Sequence, residues 1–578
     1  MNQHFCDQCR DLFKLETLRK LDGHAYRHSQ VHTITLNGNK GCPFCRMFRL
    51  ILEDPDDWVS VGVQSRTEGS LIDSLTLQIG RYKQCSLRAF AEEGNPASSL
   101  TSSRPVATDV ASPAVVAAAR QLISLCRDTH PECRPTTKAQ PPSRVLDVSR
   151  SSEGIISLCS GRRIKGHDYV ALSYCWGFDQ PSKLLRTNEA YLKNGFPLKI
   201  LPQTLQDAVT CTSALGYRYL WVDALCIIQD SESDKLTEVG NMASIYHNAA
   251  VTIAAAVAHS VFDGYLGHNR SLSLETEFHP PGSRPKYCDV DIECGDGRIG
   301  TLTIVKELEG REMIKETPLE TRGWCFQESI LSKRLLYYGP HELLFRCETV
   351  DCQPVVPSLI NYTSGVNPPR IFSQELHGLD FRQFWADIIR DFTSREVSVA
   401  EDRIHAIGGV ISELEKKWKD VCVFGVWKSR ILEHLCWRSL GTSTRNGSRH
   451  APSWSWMSLD TAIGMDYDDF ENFDAVFQGI SEKTLHLTCR IMTKAHPQWA
   501  KIFYYGDLQF YRDGGEKQIN YLLIGRAKEP SMYLDYAIAV TEVEESVFQR
   551  VGLGQHEIQE RDEVSEWAQL VPKRIMLI

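Results

Sequence analysis

The chain has 578 residues, of which 42% are hydrophobic and 24% charged. That apolar share can fill more than one core, which excludes wholesale disorder and sets an expectation of two or three folded units. Its 73 acidic and 64 basic residues leave a net charge of −9, without the basic bias of a chain that grips nucleic acid, so no nucleic-acid partner is expected.

The N-terminus, MNQHFCDQCRD, lacks the basic-then-apolar layout of a secretory signal. No apolar run reaches bilayer length; Val251–Ala258 stops after eight residues. The sequence therefore predicts a cytoplasmic chain with no membrane span. Its 19 cysteines are expected to be reduced thiols or metal ligands rather than a disulfide framework.

Cys6 and Cys9 form one CxxC pair, and Cys42 and Cys45 form another. Two such pairs can close a tetrahedral structural zinc site, with His24, His28 and His32 as alternative ligands. The simpler alternative is four buried free thiols. Residues 94–112 are rich in Ser, Pro, Thr and Ala and read as a linker. After Pro113, helical spacing of Val115, Val116, Ala119, Leu122, Ile123 and Cys126 predicts a helix. Cys126, His130 and Cys133 make a second, sparser cluster of metal-ligand types.

An alternating pattern follows. YVALSY, from Tyr169, is a strand candidate. Thr204 and Asp207 give a T-x-x-D helix start, and Leu205, Ala208, Val209 and Leu215 form an apolar stripe that Gly216 ends. YLWVDALCII, from Tyr219, reads as a strand buried on both faces, with Asp223 inside it. Helical spacing returns through Leu236, Val239, Met242, Ile245 and Tyr246, and VTIAAA is a third strand. This β-α-β-α-β order predicts an α/β fold with a parallel sheet and right-handed crossovers.

Gly295, Gly297 and Gly300 spell a GxGxxG pattern, but GDGRIG joins two strand-like runs, which predicts a hairpin and not a dinucleotide loop. A helix is expected around TRGWCFQESILS. FRQFWADIIRDF and EDRIHAIGGVISELEKKW read as helices, and SEKTLHLTCRIM and YLDYAIAVTEVEE as strands of a β-rich C-terminal part. APSWSWMS, from Ala451, is a further strand candidate with two tryptophans on one side. The predicted organisation is an N-terminal Cys-containing module (1–93), a linker (94–112), a central domain with its lead-in helix (113–350, core about 165–335) and a mixed α+β C-terminal region (351–578).

Three ordered segments carry a family resemblance: ALSYCWG (171–177), LWVDALCIIQD (220–230) with Met242, Ile245, Tyr246 and Ala249, and RGWCFQE (322–328) with Leu331, Ser332 and Arg334. Together they resemble the fungal heterokaryon-incompatibility (HET) domain, as do the flanking LPQTLQDAV, DRIHAIGG and APSWSWMS. The resemblance implies a role in non-self recognition and programmed cell death, exercised through self-association or a partner protein. It also implies a TIR-like parallel sheet flanked by helices, since YVALSY resembles the opening strand of a TIR domain and WCFQE its WCxxE segment.

Enzymatic TIR domains cleave NAD between nicotinamide and ribose, so the resemblance makes NAD the implied substrate and Glu328 the implied catalytic carboxylate. A carboxylate beside the ribose stabilises the positive charge that develops there. Asp223 is the second catalytic candidate, being an acid in an apolar run, and Arg322 is the donor that compensates it. Tyr174, Trp176, Arg322 and Trp324 are the expected NAD-binding residues. The competing structural readings make Glu328 a helix cap or a partner of Lys333 or Arg334, Asp223 a structural acceptor, and Trp176, Trp221 and Trp324 core anchors. The corresponding alternative function is a non-enzymatic adaptor or regulatory protein that self-associates through this domain.

Overall fold

Alternation of apolar and polar residues builds the first sheet. Val59, Val61 and Val63 face Leu75, Leu77 and Ile79 across an antiparallel pair, all buried. The computed structural model describes residues 5–21, 24–48, 54–65, 70–81, 83–134, 141–164, 166–178, 180–270, 287–306, 308–309, 317–358, 360–361, 379–397, 399, 402–441, 451–465, 469–493, 503–506, 519–528, 532–558 and 569–578. Strands Ala25–Gln30, Trp58–Gln64, Ser74–Ile79 and Lys83–Phe90 run in order, with helices Asp7–Leu12, Val31–Asn39 and Pro43–Phe48 packed into the same core.

Two further strands, Tyr287–Glu293 and Ile299–Lys306, extend this sheet, because Ile299–Lys306 pairs with Lys83–Phe90. They are the two arms of the predicted hairpin, and Gly297 at its turn takes the left-handed φ of +79°. The 94–112 stretch is tied to the same layer. The Thr101 and Ser102 hydroxyls and the Ser102 N–H donate to the buried Asp73 carboxylate at 2.7–3.0 Å.

The central sheet is formed by β1 (Arg144–Asp147), β2 (Ile155–Ser160), β3 (Tyr169–Ser173), β4 (Phe196–Pro197), β5 (Tyr219–Trp221), β6 (Val251–Ala254), β7 (Arg334–Tyr338), β8 (Leu343–Cys347) and β9 (Gln353–Pro354). Their spatial order is β9-β8-β7-β6-β3-β5-β1-β2-β4. β7, β6, β3 and β5 are mutually parallel, with Val170 opposite Val251 and Tyr169 opposite Tyr219. Every flanking pair is antiparallel. The fold is therefore α/β with a mixed sheet: the three strands of the β-α-β-α-β order are parallel as expected, but antiparallel strands flank them on both sides. Short connections between β1 and β2 and between β7 and β8 permit the antiparallel flanks, whereas parallel neighbours need a crossover.

Among the helices of this layer are α1 (Pro113–Thr129), α2 (Gln203–Ala214), α3 (Asp223–Cys226), α4 (Glu232–Asn248) and α5 (Gly323–Ile330). Ser112 caps α1 by accepting from the Val115 N–H. Thr204 and Asp207 do not make the predicted helix start, since Pro202 is the cap of α2 and both residues lie inside the helix. They anchor the loop after β6 instead. Thr204 Oγ1 donates to the Ser260 carbonyl and accepts from the Gly264 N–H. The Asp207 carboxylate accepts from the N–H groups of Tyr265 and Leu266 at 2.7 and 3.0 Å.

Asp207→Ala leaves the buried Tyr265 N–H and the part-buried Leu266 N–H unpaired and is expected to cost about 3 kcal/mol, read as a lowered denaturation midpoint. Asp207→Asn, which keeps an acceptor, is expected to cost less.

Two C-terminal helices, Leu379–Thr393 and Asp402–Trp418, continue the central core. A nine-stranded sheet follows, with Thr484–Cys489, Asn520–Lys528, Tyr533–Glu544 and Val547–Ile558 among its members. APSWSWMS is a turn and a short 3-10 helix, not a strand. Trp454 and Trp456 are both fully buried there and donate to the carbonyls of Lys483 and Gly425, which makes them core anchors.

Candidate active site at the carboxyl edge of the central sheet

Because β3 and β5 are parallel, both leave the sheet at the same edge. The edge where strands end is where an α/β sheet offers polar groups to a ligand. β3 ends on Ser173, so Tyr174, Cys175 and Trp176 turn out of it. β5 ends at Trp221, so Asp223 opens α3 immediately beyond the strand and does not sit inside a longer one. An acid in a first helical turn finds backbone donors, which an acid in mid-strand lacks. Here Asp223 Oδ1 accepts from the Ala224 N–H at 2.6 Å, and Oδ2 accepts from Trp176 Nε1 at 2.8 Å.

α5 brings the third segment to this edge. Arg322 is its N-cap, and the guanidinium donates to the Tyr174 carbonyl at 2.8 Å, joining the first and third segments. One turn and a half further on, Glu328 is 6% exposed. Burial pushes its carboxyl up to about 7, and the charge of Asp223 adds to the rise. Ser173, Arg322 and Tyr246 on α4 pull the other way. Among the described residues Glu328 Oε2 has no hydrogen-bond partner.

Burial also raises Asp223, against the Ala224 N–H and the Trp176 indole. Burial opposes the Arg322 charge, but Cys325, Cys175 and Glu328 around it hold it ionised more firmly than usual. The result is one guanidinium shared by two carboxylates and two thiols in a low-dielectric site.

Tyr174, Trp176, Asp223, Arg322 and Glu328 therefore converge, as do Ser173 and Tyr246, which sequence reasoning did not single out as site residues. Both lie inside the quoted segments, so the signal was present. Tyr174 is buried and its hydroxyl accepts from Gln180 Nε2 at 3.0 Å. Trp324, on the first turn of α5, is half-buried and packs on the central core, and no described contact links it to either carboxylate.

The helix Asp402–Trp418 closes over α5. The Gly409 N–H donates to Gln327 Oε1 at 2.8 Å, and a Cβ at Gly409 would meet that oxygen at 2.7 Å. A separate cavity of about 380 Å³ opens beside the loop after β6, lined by Gln203, Asp207, His259, Asp263 and His268.

In the N-terminal layer Cys6, Cys9, Cys42 and Cys45 come together, with their sulfurs all within 4.8 Å of one another. Sγ separations are 3.7 Å for Cys6–Cys45 and 3.6 Å for both Cys9–Cys45 and Cys9–Cys42. A regular tetrahedron with Zn–S bonds of about 2.3 Å has edges of about 3.8 Å, so the donor set fits a metal such as zinc. His28 Nε2 approaches Cys9 Sγ at 3.2 Å, beside the four sulfurs.

The fold and these groups define an α/β domain whose carboxyl edge carries buried acids beside an arginine. Residues 169–328 match the family described as heterokaryon incompatibility protein (HET), from the first residue of β3 to Glu328 itself. Residues 169–328 thus form a HET domain within the chain. Neither the curated proteins nor the solved structures give a match to it.

Proposed function

We propose that the chain is a cytoplasmic effector of fungal non-self recognition and programmed cell death, and that its HET domain hydrolyses NAD in the manner of a TIR enzyme. The observation that carries this reading is the buried pair Glu328 and Asp223 at the carboxyl edge of four parallel strands, with the charge of Arg322 acting on both and its guanidinium bonded to the Tyr174 carbonyl. Perturbed acids gathered at such an edge are a mark of chemistry. The parallel quartet and the WCFQE helix support the TIR likeness.

In this reaction the bond between the ribose C1′ and the nicotinamide nitrogen breaks. The bonding pair leaves with nicotinamide, water adds to C1′, and a proton is released. Glu328 as carboxylate faces the cationic ribose and accepts from its hydroxyls through Oε2. Asp223, Tyr174 and Trp176 hold the dinucleotide, and Arg322 holds a phosphate. Glu328 is covered in the single chain, and in this proposal self-association completes the pocket around it.

Incubating concentrated protein with NAD is expected to release nicotinamide, and Glu328→Gln is expected to reduce the rate by at least about 100-fold with folding intact. Unchanged turnover in that variant removes Glu328 from the mechanism.

A second reading, an adaptor without chemistry, is favoured by the exposed aromatics Phe178 and Phe262. They lie on two loops joined by the Val261 N–H to the Trp176 carbonyl. Absence of NAD turnover in clustered protein, with association lost in Phe178→Asp, supports this second reading.

A further inference from the structure

Sequence spacing left Cys126, His130 and Cys133 one ligand short of a tetrahedral site, and the fold brings that ligand from β8. Cys347, the last residue of β8, meets the three residues at the end of α1, and all four donor atoms lie within 4.8 Å of one another. Cys347 Sγ is 3.4 Å from His130 Nδ1. A tetrahedral zinc with one nitrogen ligand has an N–S edge of about 3.5 Å. The three cysteines are buried and His130 is half-buried.

The surroundings are those of thiolates. Arg334 Nε donates to Cys126 Sγ at 3.1 Å, and the Val350 N–H donates to Cys347 Sγ at 3.2 Å. The Thr349 hydroxyl lies 3.8 Å from Cys133 Sγ. Arg334 is 3% exposed, and its other nitrogens reach the carbonyls of Ala250 and Cys133. Among the described residues no carboxylate forms an ion pair with it. An anion beside a buried guanidinium lowers the cost of burying its charge. Three thiolates and a neutral imidazole around a divalent ion carry one net negative charge, which Arg334 balances.

We infer that Cys126, His130, Cys133 and Cys347 form a structural Cys3His zinc site, distinct from the N-terminal cysteine cluster, that staples the end of α1 to the β7–β8 hairpin following Glu328. The ligand positions span more than two hundred residues, so the metal closes a long loop and ties the lead-in helix to the sheet.

Zinc content of the reduced, full-length protein is expected to fall by one equivalent per chain in Cys126→Ser plus Cys347→Ser, whatever the N-terminal cluster holds. His130→Cys is expected to keep the metal and to shift the spectrum of the cobalt-loaded protein toward all-thiolate coordination. If the double serine variant does not fold, the cobalt spectra of the parent and of His130→Cys carry the test alone. Zinc content unchanged in a folded double variant, or identical cobalt spectra for the parent and His130→Cys, overturns the assignment.

Discussion

Glu328→Gln is expected to stabilise the folded chain by about 3 kcal/mol above about pH 8 and to leave it nearly unchanged below about pH 4. Folding raises this carboxyl from its ordinary 4.5 to about 7, mainly by burial. Between those values the folded chain holds a proton that the unfolded chain has lost. Stability therefore falls as pH rises through this window, and the full penalty is present once the buried group ionises. Gln has the shape of the protonated acid and titrates nowhere, so the gap between variant and parent opens with pH.

Denaturant unfolding at several pH values reads it directly. A gap that does not change with pH would falsify the raised pKa. The same ionisation governs the proposed chemistry, because only the carboxylate can face a cationic ribose. Nicotinamide release is thus expected to climb with pH through about 7 while the parent loses stability, a trade that concentrates strain where the reaction occurs.

The second large effect concerns the N-terminal cysteines. Stripping metal from reduced protein with a strong chelator is expected to unfold the helices Asp7–Leu12, Val31–Asn39 and Pro43–Phe48. Structural zinc contributes on the order of 10 kcal/mol in small sites, more than these short helices can replace. Cys9, Cys42 and Cys45 are buried, so their alkylation rate rises with the unfolding. Hydrogen exchange localises the change: fast exchange within residues 7–48 and slow exchange retained in β3, β5 and β6. Unaltered exchange in residues 7–48 after chelation would rule out a metal-dependent fold there.

How far the sequence revealed the site depends on how local each signal was. Ser173 to Gly177 and Arg322 to Glu328 were legible because each couples a distinctive run to a strand end or a helix. Asp223 was legible as a residue but not in its setting. YLWVDALCII is apolar apart from Asp223 itself, and periodicity in so short a run cannot separate a three-residue strand from the helical turn that follows it. Thr204 and Asp207 carry the composition of a helix start, yet their partners Ser260, Tyr265 and Leu266 lie over fifty residues away, so nothing nearby announces them. Cys347 belongs to the same class of non-local partner, as does the pairing of Ile299–Lys306 with Lys83–Phe90. Trp454 and Trp456 were legible as large anchors, whereas the turn that seats them was not.

That last sheet pairing has a practical corollary. The hairpin that completes the N-terminal layer is supplied from within the segment matching the HET family, between β6 and α5. Severing the polypeptide near residue 112 would leave Lys83–Phe90 as a raw strand edge on one fragment and a homeless ribbon on the other, and both halves would be prone to clump. The two layers are interlocked like a clasp, so fragments intended to isolate either one should carry residues 287–306 grafted onto the first ninety.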